Sequence, residues 1–291
     1  MAFGQSRYAE INSLLNAKFA EKGTLIAAHR GSWHGNIIQN TLAAYRAAIM
    51  MGADIVETDT TATRDNVVFS LHDGVEPVLL GPSFNSYHVT SEQLGRFNAL
   101  NALGVPCLQQ IETLETIFEG LTHGELINID RTWRARGLVP ALLDKHPHML
   151  HQALLKAPPR ERGVIEQLNE HPQKYMFMAI CHSIRDIDEV LQFDALNLVG
   201  IELVEADSSA ELCQPETIRY IHSKGLFTWV NSLVLTDADP IEALYGGYDD
   251  DISIKQDPAL GWGHLMDMGI DVIQTDWPSL VRDYRRSRTG R

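Results

Sequence analysis

Short apolar runs recur from about residue 24 to residue 278, and amphipathic stretches lie between them. Parallel strands covered on both faces need continuous apolar runs of this kind, and the amphipathic stretches are their covering helices. Nine runs qualify: 24–28, 55–59, 67–71, 126–130, 151–156, 175–180, 199–204, 226–230 and 271–275. The alternation predicts an α/β chain folded as a TIM-type (β/α)8 barrel. That fold has eight places for nine runs, so one run is expected to be an edge strand or a helical segment. The link 60–66 is shorter than the dozen or so residues a parallel crossover takes, which predicts local irregularity there.

Between Gly74 and Glu125 the alternation lapses for about fifty residues that carry Pro77, Gly81, Gly95, Gly104 and Pro106. This reads as a small insertion, at about 74–125, after the third strand. Long connections that follow strand ends lie on a barrel's catalytic face, so the insertion is expected to roof a cleft. The remainder fits one domain, 1–291, because such barrels run to about 250 residues as a single unit. A 44% hydrophobic content supplies the core.

A net charge of −14 repels phosphate backbones and anionic membrane surfaces. It excludes a general nucleic-acid binder. The basic end, with Arg285, Arg286 and Arg288, reads as a solvated terminal helix. No run of about twenty apolar residues exists, so no membrane span is expected. The first 25 residues mix Arg7, Glu10, Lys18, Glu21 and Lys22 through the apolar positions and carry no signal-peptide core. Cys107, Cys181 and Cys213 are odd in number and far apart, which suits a reducing compartment. The expected setting is cytoplasmic.

Chemistry in this architecture gathers at strand ends. The first run ends in His29-Arg30-Gly31, the second in Glu57-Thr58-Asp59, the third in His72-Asp73, and the fourth in Asp130. Glu57 and Asp59 are two apart, so an extended strand puts both on one face, where they repel unless a cation separates them. A divalent metal with Asp130 as a third oxygen donor answers that conflict; solvation or an arginine bridge also does. His29 and His72 can exchange protons near neutral pH, as an acid–base pair or as ordinary structural histidines. Arg30 can grip a phosphate through its planar fork or pair with Asp73 or another acid. Gly31 permits a tight turn beside the site.

His29-Arg30-Gly31, Gln39-Asn40-Thr41-Leu42, and Gly52-Ala53-Asp54 running through Glu57, Asp59, Thr63 and Asp65 to His72-Asp73 together resemble the opening signature of the glycerophosphodiester phosphodiesterase family. The stretch from Gly269 to Thr275-Asp276-Trp277-Pro278 is similar to that family's closing strand. The resemblance implies a barrel, one divalent cation (Mg²⁺ or Ca²⁺, with Mn²⁺ a third candidate) on Glu57, Asp59 and Asp130, and catalysis by His29 and His72. It implies a small-molecule phosphodiester substrate, most simply a glycerophosphodiester cleaved to glycerol phosphate and an alcohol. The insertion after His72-Asp73 is likewise a family habit.

The chain departs from that pattern in three places. Gln39 stands where the family usually has Glu, Asp130 where it has a longer Glu, and Thr132 where it often has Lys. Lys156, at the end of the fifth run, is the candidate for the missing positive charge. Trp229 and Trp277 are candidates for an aromatic wall against the substrate's alcohol, although Trp at strand ends is as often core. Glu202, Glu205 and His182 read as supporting or surface residues. Two alternatives stand beside the main reading: a phosphodiesterase or phospholipase D-type enzyme acting on a sugar- or choline-phosphodiester, and a non-catalytic metal- or phosphate-binding barrel. The residues select neither a headgroup nor an oligomeric state.

Overall fold

In chain order the strands are β1 (Leu25–Ala28), β2 (Ile55–Ala62), β3 (Val68–Ser70), β4 (Leu126–Asp130), β5 (Ala153–Ala157), β6 (Met176–Cys181), β7 (Leu198–Leu203), β8 (Phe227–Asn231), β9 (Val234–Leu235), β10 (Glu242–Ala243) and β11 (Val272–Thr275). They come from a computed structural model that describes residues 2–81, 83–135, 137–235 and 242–289. Parallel pairing runs β1, β2, β4, β5, β6, β7, β8, β11 and returns to β1, which closes an eight-stranded barrel. β9 and β10 form a separate antiparallel pair.

The surplus run is β3. It pairs antiparallel with the end of β2, Thr60 opposite Ser70 and Ala62 opposite Val68, and stands outside the barrel. The short 60–66 link now has its reason, since an antiparallel partner needs only a hairpin. Thr63 Oγ1 donates to Asp65 Oδ1 at 2.7 Å and accepts from the Val67 N–H at 3.2 Å, which pins that turn. The insertion therefore follows the third strand of the chain but lies between the second and third strands of the barrel. It has its own small core of Leu71, Leu79, Leu80, Leu94, Ala99 and Ile111, with Ile38 and Phe69 beneath. The helix Leu114–Gly120, inside the expected insertion, is the barrel's own covering helix: Leu114, Ile117 and Phe118 pack into the main outer core.

Apolar positions of period two point either outward to the helices or inward to the barrel axis. Ile26, Val56, Ile127, Leu155 and Phe177 face the outer core. Leu25, Ala27, Ile55, Leu126, Leu154, Phe227 and Val272 fill the interior. Phe3, with Leu15 and Phe19 on the helix Ser13–Lys22, plugs the lower mouth against Phe227, with ring centroids 4.9–6.0 Å apart. The terminal helix Pro278–Thr289 is only partly solvated. Arg285 is buried there and donates to Asp54 Oδ2 and to the Thr24 carbonyl at 2.6 Å. No helix among the described residues is long and apolar enough to cross a membrane.

One ion pair at the lower end sets a pH dependence of stability. His222 Nε2 lies 2.8 Å from Asp271 Oδ2, which also accepts from the Thr228 N–H and hydroxyl. The hydrogen bond to Asp271 raises the His222 pKa above its ordinary 6.5. The folded state thus holds a proton that the unfolded chain releases earlier; the gain is complete below pH about 6.5 and is lost as pH rises through the raised value. We expect the urea midpoint to fall between pH 6 and pH 8.5, and His222→Gln to flatten that step. An unchanged step in the variant would remove His222 as its source.

Candidate active site

Followed upward, the inward positions of each strand turn from apolar to polar: Ile55, Glu57, Asp59 on β2; Leu126, Asn128, Asp130 on β4; Leu154, Lys156 on β5; Phe227, Trp229, Asn231 on β8. The register of β2 and β4 sets Glu57 beside Asn128 and Asp59 beside Asp130. One carboxylate oxygen from each of Glu57, Asp59 and Asp130 lies within 4.8 Å of the others. Glu57 and Asp59 are buried and Asp130 nearly so. The sequence-predicted acid triad is therefore brought together.

Each acid is held in place. Asp59 Oδ2 accepts from Asn40 Nδ2 at 3.1 Å and pairs with Arg30 Nε at 2.9 Å, while Asn40 Oδ1 accepts the Asp59 N–H. Burial pushes the Asp59 carboxyl up, but Arg30, then His72 and His29, outweigh it and hold the group at about 2. Glu57 goes the other way, raised by burial and then by the neighbouring Asp59 charge; burial also raises Asp130. Arg30 takes Asp59, not Asp73, as its acid, and Arg30 Nη1 donates to Gln39 Oε1 at 2.9 Å. The neutral amide at 39 thus orients the guanidinium without a further charge. Asp73 is instead paired with Arg131 and Arg134.

Three non-glycine residues at the site have left-handed backbone: Arg30 (φ 55°), Asn40 (φ 58°) and Arg131 (φ 57°). Each such residue costs on the order of 1 kcal/mol, so something must hold it there. The Arg30 N–H donates to Glu57 Oε2 at 2.9 Å, the Asn40 N–H to the Arg30 carbonyl at 3.0 Å, and the Arg131 N–H to Asp130 Oδ1. Gly31 (φ 77°) completes the turn, where a Cβ would stand 2.6 Å from the Ala44 backbone.

Lys156 lies at the floor of the site and is fully buried. Its ammonium sits 3.0 Å from Asp130 Oδ2 and 2.9 Å from Glu202 Oε2. These two acids outweigh desolvation and raise its pKa, so it is a permanent cation. The expectation of direct substrate contact by Lys156 is corrected: the group is spent on two carboxylates. Trp229 is corrected too. It is wholly buried, its ring lies 5.7 Å from the Lys156 ammonium, and no face of it reaches the cleft. Glu202, expected to be a supporting residue, completes this floor by accepting from Asn231 Nδ2 at 2.6 Å.

His29 Nδ1 lies 3.0 Å from Asp276 Oδ1, which leaves Nε2 for other work. Asp276 had escaped notice as a functional residue, although the closing Thr-Asp-x-Pro stretch contains it. Its place is fixed by the buried Asp250, which accepts from the Asp276 N–H at 3.0 Å and the Thr275 hydroxyl at 2.8 Å. His72 is mostly buried, its Nδ1 has no hydrogen-bond partner, and desolvation lowers its pKa. Both histidines lie close enough to Asp59 to stabilise its charge. Trp277 stands at the rim, half exposed, in a file with His34 (centroids 6.2 Å) and Trp33 (5.9 Å from His34).

The donor set fits a hard divalent ion. Glu57, Asp59, Asp130 and Glu202 carry four negative charges where all are ionised, and Arg30 and Lys156 return two positive ones. Two negative charges remain, and the three gathered ligand atoms are all carboxylate oxygens. A carboxyl raised by burial and like charge, as Glu57 is, ionises readily once a cation stands beside it.

Residues 29–141 match the model of the glycerophosphoryl diester phosphodiesterase family, and residues 175–285 match a domain of unknown function. A glycerophosphodiester phosphodiesterase of Caldanaerobacter subterraneus is 33% identical over 110 residues, 37% of this chain and 44% of that protein. The match thus spans less than half of the curated relative. Among solved structures, a glycerophosphoryl diester phosphodiesterase from Parabacteroides distasonis superimposes with a TM-score of 0.70 at 16% identity, over 91% of this chain and 87% of that one. An Oleispira antarctica phosphodiesterase in complex with the product sn-glycerol-3-phosphate gives 0.65 at 15% identity, over 89% and 95%. At these identities the superpositions establish the barrel fold.

The buried lysine generates a stability test on chelator-treated protein. Lys156→Met leaves Asp130 and Glu202 without their cation and is expected to cost about 3–5 kcal/mol in urea unfolding. Adding Glu202→Gln should recover part of that loss. Equal stability of Lys156→Met and the parent would mean that the pair is solvated.

Proposed function

We propose that this chain, whose residues 29–141 match the model of the glycerophosphoryl diester phosphodiesterase family, is a member of that family and a cation-dependent hydrolase that cleaves a glycerophosphodiester to glycerol phosphate and an alcohol. The observation that carries this reading is the gathering of Glu57, Asp59 and Asp130 within 4.8 Å, with Arg30 paired to Asp59 and His29 to Asp276.

Glu57, Asp59 and Asp130 would hold the ion, Mg²⁺ or Ca²⁺ by the hardness of the donors and Mn²⁺ as a third candidate. When bound, it supplies charge neutralisation at the phosphoryl oxygens. Arg30, fixed by Asp59 and Gln39, adds a second positive charge at the same place. Lys156 positions Asp130 from below and touches no substrate.

His29 is the base in this scheme. With Nδ1–H donated to Asp276, its Nε2 takes the proton of the attacking hydroxyl, water or substrate, and Asp276 stabilises the resulting imidazolium. As the new P–O bond forms, His72 gives its proton to the departing alkoxide. Trp277, backed by His34 and Trp33, walls the alcohol side, and the insertion roofs the mouth. The Oleispira relative's complex with sn-glycerol-3-phosphate supports a small-molecule diester. A cytoplasmic setting accords with three cysteines that are all unpaired.

Two experiments test the reading. Titration with Mg²⁺, Ca²⁺ or Mn²⁺ should raise the melting temperature, by the equivalent of about 2.7 kcal/mol at a hundred times Kd. Asp59→Asn should abolish that rise, and chelation should end hydrolysis of glycerophosphocholine; turnover that survives chelation rejects the cation. The two histidines are separated by leaving group. His29→Ala should lose about 10²–10⁴-fold on glycerophosphocholine and on bis(4-nitrophenyl) phosphate alike. His72→Ala should lose as much on the first and little on the second, whose leaving group needs no proton. The opposite pattern would exchange the roles, and full activity in both variants would end the proposal.

A further inference from the structure

Residues 31–45 and residues 97–111 contain no Asp, Glu, Lys or Arg. The fold brings them together. Asn101 Nδ2 donates to Asn36 Oδ1 at 2.9 Å, the Ala102 N–H to the Gly35 carbonyl at 3.2 Å, and the Ile38 N–H to Gln109 Oε1 at 3.3 Å. The first tract begins directly after His29 and Arg30, and its His34 stacks toward Trp277. The joined loops therefore rise from the mouth of the candidate active site.

Their outer surface is apolar. Leu103 is 86% exposed and Leu108 97%, and Val105, Ile37 and Trp277 are each exposed by between a third and a little over half. Solvated loops normally present polar side chains at such positions. The backbone of the tip is satisfied from within: Asn101 Oδ1 accepts the N–H groups of Leu103 and Val105 at 2.9 and 3.0 Å, the Asn101 carbonyl accepts that of Gly104 at 2.8 Å, and Leu100 and Pro106 form an antiparallel bridge. A turn whose donors are already paired can leave water at little cost, and one tipped with leucine and valine gains by doing so.

We propose that the 97–111 loop, with Ile37 and Trp277, is a docking surface that seats the barrel mouth on a lipid layer of zero net charge. The charge pattern selects that occupant. A chain of net charge −14 with no basic residue in either tract is repelled by an anionic surface and finds no such penalty at a zwitterionic one. A half-exposed Trp at the edge of the patch suits the boundary between headgroups and acyl chains. A second copy of the chain is the poorer occupant: five side chains fall far short of the 20–30 residues a side that a stable protein interface takes. The inference depends on the hydrolase reading only in supposing that substrate enters by this face.

Flotation with phosphatidylcholine vesicles tests it without any activity. The parent should float with them, less so when phosphatidylserine replaces part of the lipid, and Leu103→Asp/Leu108→Asp should reduce the bound fraction at least tenfold. Hydrolysis of water-soluble glycerophosphocholine by that variant should equal the parent's, which reports folding; if it falls, Val105→Asp serves in its place. No flotation of the parent, or equal flotation of parent and variant, overturns the proposal. So does a parent dimer in sedimentation velocity that the variant dissociates, since the patch then belongs to a second copy. Absence of turnover in both proteins with flotation intact would count against the hydrolase reading alone.

Discussion

Four carboxylates collected at one end of a barrel, away from water, are the constraint on which the rest of this structure depends. Glu57, Asp59, Asp130 and Glu202 repel one another most strongly where solvent is least able to screen them. Each device around them answers that repulsion. Arg30 lies on Asp59, Lys156 bridges Asp130 and Glu202, and backbone N–H groups from strained residues point at Glu57 and Asp130. The apolar plug of Phe3 and Phe19 closes the lower mouth of the barrel. The strain at Arg30 and Arg131 is the counterpart of this arrangement: ordinary backbone conformations would turn those amides away from the acids they serve.

Much of this was legible in the sequence because the barrel imposes two simple periods. Continuous apolar runs located all eight barrel strands. Alternation along β2 puts Glu57 and Asp59 on one face. The third run was legible as a strand and illegible in its direction, since β3 carries the same Val-Val-Phe signal whether it pairs parallel or antiparallel; only the short link before it told the difference. The extent of the insertion was misjudged for a related reason. The helix Leu114–Gly120 follows a stretch that carries glycine and proline, and it is only seven residues long.

The residues that were misread share a physical cause. Lys156 and Trp229 sit at strand ends, where exposure to the cleft is the usual expectation, yet both are buried inside the barrel, Lys156 against Asp130 and Glu202. Sequence position gives the level of a residue along the strand but not the depth at which the floor begins, and that depth depends on how far side chains from other strands fill the middle. Asp276 was missed for the opposite reason. Its partner His29 is 247 residues away, and nothing local to the closing strand marks its carboxylate as one that aims at an imidazole.

The relocated lysine shows how the barrel tolerates such changes. Where the resembled family often places a Lys two residues beyond the third acid, this chain has Thr132, whose hydroxyl donates to the Lys156 carbonyl at 2.9 Å. β4 and β5 are parallel neighbours with Ile129 beside Leu155, so Asp130 and Lys156 stand side by side at the next step. A positive charge delivered from the adjoining strand reaches Asp130 from within the barrel, where Lys156 is buried. The exchange preserves the neutralisation of Asp130 and gives up a solvent-facing cation at the mouth. With that cation withdrawn, Arg30 is the fixed positive charge that borders both the acid cluster and the cleft, and its orientation by the neutral Gln39 leaves that charge undiminished. Gln39, Asp130, Thr132 and Lys156 thus all bear on where the charges sit around the acid cluster.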